Sequence, residues 1–488
     1  MENSSQLKIK SIKHNFVLNN VRLVLNFIVP VVIFPYIGRV LGPENLGRVE
    51  FANSIISYFV LFTALGIPVY GVREIARGRD DIEIRSKTVW ELTVILFFTV
   101  FIGYVIYFVC VGFVPRFRNE WLLFLIVAPT IFLSDFSYDW FYVGIEDQIY
   151  ITLRYIIIKI VQIVLIFLLI HHSSQYLLYA AISIGINSLS TIFNIVHLRK
   201  YIQFIPLQLL NVKRHLKSIL IIFASLVATN MYMHIDVTMV GAMVGNEAVG
   251  IYVVPNRVVR IIIHLITSLG TVMIPRLENK LKNGDENKYY ELLNRSLSFS
   301  LIFSIPSFFG VIATAKEIVL LFGGVAYAKA VLGMKLLSPI LLFVPMAHFI
   351  GLQILYPHRM EGKYTISVSI ASVTNILFNS FAIQKFQQNG AVIGTCLAEF
   401  VGVIIQVCFA WNFLKKTELF TVNTIKILVS GFCMFIMIML FNCIVVINSI
   451  VIKLSITIVL AGTIYLFFLL LFREKMLFAI IHKKTKSL

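Results

Sequence analysis

Charge is scarce in this chain. Of its 488 residues, 14% are charged and 59% are apolar, whereas a soluble globular chain is about 25% charged and about 45–50% apolar. Mean hydropathy is +0.88. There is too little polar surface to cover a water-soluble body of this size, so the excess apolar area must face lipid, and a soluble enzyme is excluded. Cysteine is also scarce. Cys110, Cys396, Cys408, Cys433 and Cys443 each lie in an apolar run, with no C-x-x-C and no metal-ligand spacing. They read as small buried apolar residues. No glycine-rich loop precedes a Lys-Ser/Thr pair, which argues against ATP hydrolysis by this chain, and no H-E-x-x-H occurs. The adjacent His171 and His172 fall in a short outer loop and read as solvated rather than as metal ligands. No metal or other cofactor is expected. Acid is the rarer charge, 24 Asp and Glu against 42 Lys and Arg, a net of +18. In a soluble protein that excess would suggest nucleic acid, so the placement of the charges decides its meaning.

What the chain has instead is long apolar runs. A membrane helix needs about 20 mostly apolar residues. Fourteen candidate spans appear, near 16–38, 46–70, 88–112, 121–144, 150–170, 176–198, 217–241, 248–272, 295–315, 331–355, 364–384, 390–414, 424–446 and 451–472. The first carries Arg22 and no small-residue cleavage site, so it reads as a retained helix rather than a signal peptide. The largest gaps, 71–87, 199–216 and 273–294, are rich in Lys and Arg. With the N-terminus in the cytoplasm, 28 basic residues fall on the cytoplasmic side and 8 on the other. That split places both termini inside and accounts for most of the positive charge without nucleic acid.

An internal repeat organises the spans. LGPENLGRVEFAN (41–53) lies on VGNEAVGIYVVPN (244–256) at an offset of 203, with Gly42 on Gly245, Glu44 on Glu247, Gly47 on Gly250 and Asn53 on Asn256. Both segments are the outer turn between the first two helices of a six-helix set. Six is even, so the two sets run the same way through the membrane. They are then related by a pseudo-twofold axis along its normal, with a site at their interface. The expected architecture is an all-α polytopic membrane protein of about 14 helices. An N-lobe (1–198) is joined by a cytoplasmic amphipathic linker (199–216) to a C-lobe (217–414), and 415–488 holds two further helices and a basic tail.

Polar residues within spans are costly unless they face water or a partner. Arg257, Arg260, His264, Thr267 and Thr271 recur at steps of three and four, forming one continuous polar helix face. Two arginines on one stripe point to a water-filled cavity. Asn15, Asn19, Arg22 and Asn26 form a similar stripe, after which Pro30 and Pro35 suggest a bend. Further polar positions are Tyr155, Lys159 and Gln162, then Ser183, Asn187, Ser190, Asn194 and His197, then Thr395, Glu399 and Gln406. Isolated Asn, Ser and Thr in such helices are most often interhelical hydrogen-bond partners. Asp135 and Asp139 either neutralise Arg154 or Lys159 or take part in ion coupling. Asp236, near His234, is either an ion or proton site or the partner of a cavity base.

The run FPYIGRVLGPENLGRVEFANSIISYF (34–59), with GIPVYGVREIAR (66–77), resembles the Wzx-type polysaccharide flippases of the multidrug/oligosaccharidyl-lipid/polysaccharide exporter superfamily. DWFYVGIEDQIYITLRYIIIK (139–159) and EIVLLFGG (317–324) are similar to further segments of that family. The resemblance implies two six-helix lobes around a central cavity, plus two extra helices. It implies a transporter rather than an enzyme, in the bacterial inner membrane, moving undecaprenyl-pyrophosphate-linked oligosaccharide repeat units outward by alternating access for O-antigen or capsule synthesis. It also names membrane lipid, a polysaccharide polymerase and a chain-length regulator as candidate partners. Its cavity cations, thought to meet lipid phosphate, map by helix onto Arg22, Arg48, Arg257 and Arg260. Asn26, Asn53, Asn256 and Lys159 complete the candidate substrate-binding set, and Asp236, Glu399, Asp135 and Asp139 are the candidates for ion coupling. The rival reading is a cation-coupled multidrug antiporter of the same fold. That site should be acidic and aromatic, and the basic stripes argue against it.

Overall fold

The computed structural model describes residues 12–478, and among them every regular element is helical. The chain divides into two compact units. The first, Met1–Thr238, holds α1 (Ile12–Ala64), α2 (Ile67–Arg77), α3 (Ile82–Phe113), α4 (Pro115–Asn119), α5 (Trp121–Val127), α6 (Pro129–Asp135), α7 (Asp139–Gly144), α8 (Gln148–Leu169), α9 (Tyr176–Leu198) and most of α10 (Lys213–Met243). The second, Met239–Leu488, holds α11 (Asn246–Lys282), α12 (Glu286–Phe322), α13 (Ala330–Leu337), α14 (Ile340–Ile350), α15 (Glu361–Phe386), α16 (Gln388–Leu414), α17 (Val422–Ile444) and α18 (Ile450–Leu471). Twelve stretches among the described residues are long and apolar enough to cross a membrane. One of them, Ile28–Arg77, holds two passes, because α1 is broken at Gly42 (φ 73°, ψ 173°). With that pair counted separately and the 31-residue α10 added, the total is the fourteen expected.

The break has a local cause. A positive φ suits glycine, and Pro43 at the next position is pre-set to start a helix. Gly245, its repeat partner, stands just before α11 with φ 141° and ψ 179°. A Cβ at either glycine would meet nothing within 4 Å, so the constraint is on the backbone rather than on space.

One expectation is corrected, and one gap between spans is filled in. The span 121–144 is not one helix. Pro129 opens α6, and Tyr138, in the left-handed region at φ 51°, separates α6 from α7. The basic gap 273–294 is mostly helical, since α11 runs to Lys282, Gly284 (φ 70°) turns the chain, and α12 begins at Glu286 under an Asp285 cap. Apolar runs report where a helix meets lipid and are silent about where it ends in water.

The linker after α9 is irregular apart from a single turn at Leu207–Leu209. It is tied to α3 by backbone contacts: Arg85 donates to the Tyr201 carbonyl at 2.8 and 3.0 Å, and Trp90 to that of Gln203 at 3.0 Å. Glu91, fully buried, accepts from the Asn211 amide at 2.6 Å, from Arg214 at 2.5 and 2.9 Å, and lies 2.7 Å from His215 Nε2. The other His215 nitrogen lies 2.7 Å from the Tyr70 hydroxyl on α2. Tyr201 donates to Asp147 at 3.1 Å. Burial, reinforced by the Asp147 charge, pushes its pKa up to about 12, so it stays a donor at any physiological pH.

Candidate functional site

In the first unit, charged side chains gather where α1, α7 and α8 meet. Arg154 is buried and donates to Asp139 at 2.7 Å. The same Asp139 oxygen accepts from Asn194, a fully buried residue of α9, at 2.9 Å. Arg22, half-buried on α1, lies in electrostatic range of Asp139, Arg154 and Tyr155. One turn along α8, Lys159 donates to Gln162 at 2.8 Å and sits over the Tyr155 ring. Asp139 thus has Arg154 as its ion-pair partner. The Asn26 side chain lies outside the described residues.

Asp135 has a different setting. It is 3% exposed, and its carboxylate oxygens are buried and make no hydrogen bond of regular geometry among the described residues. Thr63 of α1 and Tyr104 of α3 are its polar neighbours. Asp236, also buried, sits on α10 near Tyr58, while Thr238 two residues on donates to Ser54 at 3.1 Å.

Arg48 is more committed than a free cavity cation. It pairs with Glu44 at 3.3 Å and Glu120 at 3.2 Å, and lies over the Tyr176 ring. Asn53 is exposed one turn further along α1. Arg116, on the short α4, covers Phe51 at 4.6 Å, and burial lowers its pKa against the pull of Glu44 and Glu120.

In the second unit the stripe on α11 is a structural fact. Asn256, Arg257 and Arg260 are half-buried, and Arg260 Nε donates to Asn256 Oδ1 at 2.9 Å. His264 lies one turn on, within reach of the Arg260 charge. Glu399 is half-buried on α16, with Tyr364 as a neighbour.

Other polar residues were not anticipated as a set. Asn375 and Asn379 on α15 are fully buried and bonded to each other at 3.2 Å. Thr395 of α16, also buried, lies 3.5 Å from the Tyr252 hydroxyl. Gly394 makes the room, because a Cβ there would stand 2.0 Å from the Asn379 side-chain oxygen. The i, i+4 spacing of two asparagines within one apolar span is the signal that could have found them. Equally unanticipated is an apolar groove of about 700 Å³ among α11, α12, α17 and α18. Its floor includes the buried Ile302, Met434 and Tyr465, and its rim the exposed Phe303, Ile458 and Leu466.

Comparison with known proteins agrees with this architecture. The polysaccharide biosynthesis protein family matches residues 12–279, and the MatE family matches residues 221–381. The chain is 22% identical over 399 residues to a protein of Escherichia coli (strain K12) named as an O-antigen transporter, covering 79% of this chain and 94% of that one. In fold it is similar to the lipid II flippase MurJ in an inward closed conformation, with a TM-score of 0.70 at 18% identity, covering 94% of this chain and 98% of the other. It is also similar to an inward-facing multidrug resistance MATE family transporter of the MOP superfamily, with a TM-score of 0.63 at 15% identity, covering 82% and 98%. With the first of these matches running over more than half of its length, the chain belongs to the polysaccharide biosynthesis protein family, as a Wzx-type member of the multidrug/oligosaccharidyl-lipid/polysaccharide exporter superfamily.

Proposed function

We propose that this protein flips undecaprenyl-pyrophosphate-linked oligosaccharide repeat units from the cytoplasmic to the outer leaflet, by alternating access, for surface polysaccharide synthesis. The observation that carries the reading is the basic face of α11, where Asn256, Arg257, Arg260 and His264 follow one another at helical spacing inside a membrane span. Arg22 and Lys159 add positive charge in the first unit. An organic-cation antiporter would need acid at these positions.

The physics suits that substrate. A pyrophosphate carrying sugars cannot enter hydrocarbon unaided, because its anions and hydroxyls would lose their water without replacement. Guanidinium groups replace that water at phosphate with paired N–H donors, and asparagines can serve sugar hydroxyls. Arg22, Arg257 and Arg260 are the proposed phosphate ligands. Arg48 would join them only by exchanging its bonds to Glu44 and Glu120. The groove bounded by α12, α17 and α18 offers an apolar berth for part of the polyprenyl tail. With a negative cytoplasm, outward movement of an anion is favoured by about 2.3 kcal/mol per charge per 100 mV. The carboxylates Asp135, Asp236 and Glu399 are the candidates for a cation that resets the empty carrier. Both termini lie in the cytoplasm in this reading, as the distribution of Lys and Arg requires.

The test is export in cells lacking their own flippase. Arg257→Ala and Arg260→Ala should each abolish surface polysaccharide at normal membrane abundance. Full export by the double variant would sink the proposal, and drug efflux by the wild type without polysaccharide export would favour the antiporter.

A further inference from the structure

We propose that a groove between α8 and α9 binds one anionic phospholipid of the leaflet that meets the Arg199–Lys200 end of α9. The groove has a volume of about 420 Å³ and lies wholly within the first unit. Its walls include Leu153, Ile157 and Val196, all exposed on membrane-spanning helices and therefore against lipid. Its polar lining is formed by Tyr150, Arg154, His197 and Lys200.

The polar lining is built and incomplete. Arg154 is 8% exposed; one of its nitrogens reaches Asp139, while Nε and Nη1 are buried with no hydrogen-bond partner. The Tyr150 hydroxyl is likewise buried and unbonded. Buried donors without acceptors are costly, and three of them belong to two residues of this lining, so an acceptor-rich guest would relieve them after a small side-chain shift. The Tyr150 ring stacks on His197 at 3.9 Å, which fixes this shelf. The acids that face these side chains, Asp139 against Arg154 and Asp147 at 3.8 Å from His197, are not themselves lining residues, so the charges the groove presents are those of Arg154 and Lys200.

A phosphodiester supplies the missing acceptors, and an acyl chain covers the apolar walls. A soluble anion would leave those walls bare. The transported glycan lipid fits less well, because the lining has no Asn, Gln, Ser or Thr to serve sugar hydroxyls. An anionic headgroup also matches the basic residues at this helix end, where attraction to acidic lipid is strongest.

The test uses the full-length protein, purified in detergent and stripped of lipid, titrated by native mass spectrometry with phosphatidylglycerol or phosphatidylethanolamine. One phosphatidylglycerol should bind in preference to phosphatidylethanolamine. Lys200→Ala should weaken it about fivefold, as expected for one basic residue at a lipid surface. Val196→Trp, which fills the groove, should abolish it. Both positions are exposed or peripheral, so neither variant should disturb folding, and unchanged thermal unfolding without lipid checks this. Equal binding of the two lipids would overturn the proposal, as would phosphatidylglycerol retained by both variants. Displacement of the phosphatidylglycerol by undecaprenyl pyrophosphate at equal concentration would also overturn it, since the groove would then belong to the transported lipid.

Discussion

Asp139 and Arg154 face each other across 2.7 Å, and the acid is half exposed while the base is buried. The pair is therefore asymmetric. Removing Asp139 strands a buried guanidinium, whereas removing Arg154 leaves an acid that still has Asn194 and lies in range of Arg22. Asp139→Ala should cost about 2 kcal/mol of stability and Arg154→Met less, after discounting for the open side of the acid. Thermal unfolding in detergent measures both, and a larger loss for Arg154→Met would contradict the asymmetry.

Glu91 should be the more sensitive carboxylate. It is fully buried and its two oxygens serve the Asn211 amide, Arg214 and His215. Glu91→Ala leaves those donors without their acceptor and should cost about 3 kcal/mol. The linker should open as well, which faster proteolysis near residues 203–210 would report. Unchanged cleavage would mean that Arg85 and Trp90 hold the linker by themselves.

Gly42→Ala and Gly245→Ala isolate a backbone effect, since no atom stands near either added Cβ. Each should destabilise by about 1–2 kcal/mol through the positive φ alone. Gly394→Ala is the contrasting case, because its cost should come from collision with Asn379 and be relieved by Asn379→Ala. Relief of the Gly42 variant by enlarging space nearby would count against the conformational account.

Arg22 tests the proposed chemistry. Arg22→Ala should stop polysaccharide export at unchanged membrane abundance, and Arg22→Lys should keep part of it, because charge survives and the guanidinium fork does not. Normal export by the alanine variant would rule out a phosphate role for this residue.

Asp135→Asn separates coupling from packing. A buried carboxyl whose one polar hydrogen-bonding neighbour is Thr63 gains little structurally from its charge, so the neutral amide should leave abundance and unfolding temperature unchanged or slightly raised. Export driven by an imposed proton gradient should fall at least tenfold if this carboxyl carries the coupling proton. Gradient-driven export equal to wild type would remove Asp135 from the coupling candidates.

The spans and the arginine stripe were readable in the sequence because both are periodic. Twenty apolar residues announce a crossing, and Arg257, Arg260 and His264 fall on one face whatever they touch. Tyr138 was not readable as a break, since a left-handed residue between α6 and α7 is chosen by packing rather than by composition. The ends of α11 and α12 are not set by the apolar spans for a related reason: the helices continue beyond those spans on charged residues that look like loop. Asn375 and Asn379 carry no sign of their pairing beyond an i, i+4 spacing, because the fold rather than the residue type buries them against each other. The burial of Asp135 and the unbonded state of the Arg154 nitrogens are properties of their neighbours, and no inspection of residue types alone shows them.

The lengths of α11 and α12 have a mechanical consequence. Each has 37 residues, or about 55 Å of helix, against a hydrocarbon core of about 30 Å. Much of the excess lies on the Lys- and Arg-rich stretch beyond the apolar spans, where the two helices meet at Gly284 as an antiparallel post. A tilt of about 10° at the bilayer centre, acting on an arm of about 40 Å, would sweep that tip through about 7 Å. The post is thus a lever that enlarges small rotations within the membrane, and a dye placed on Asn283 would turn them into a distance signal.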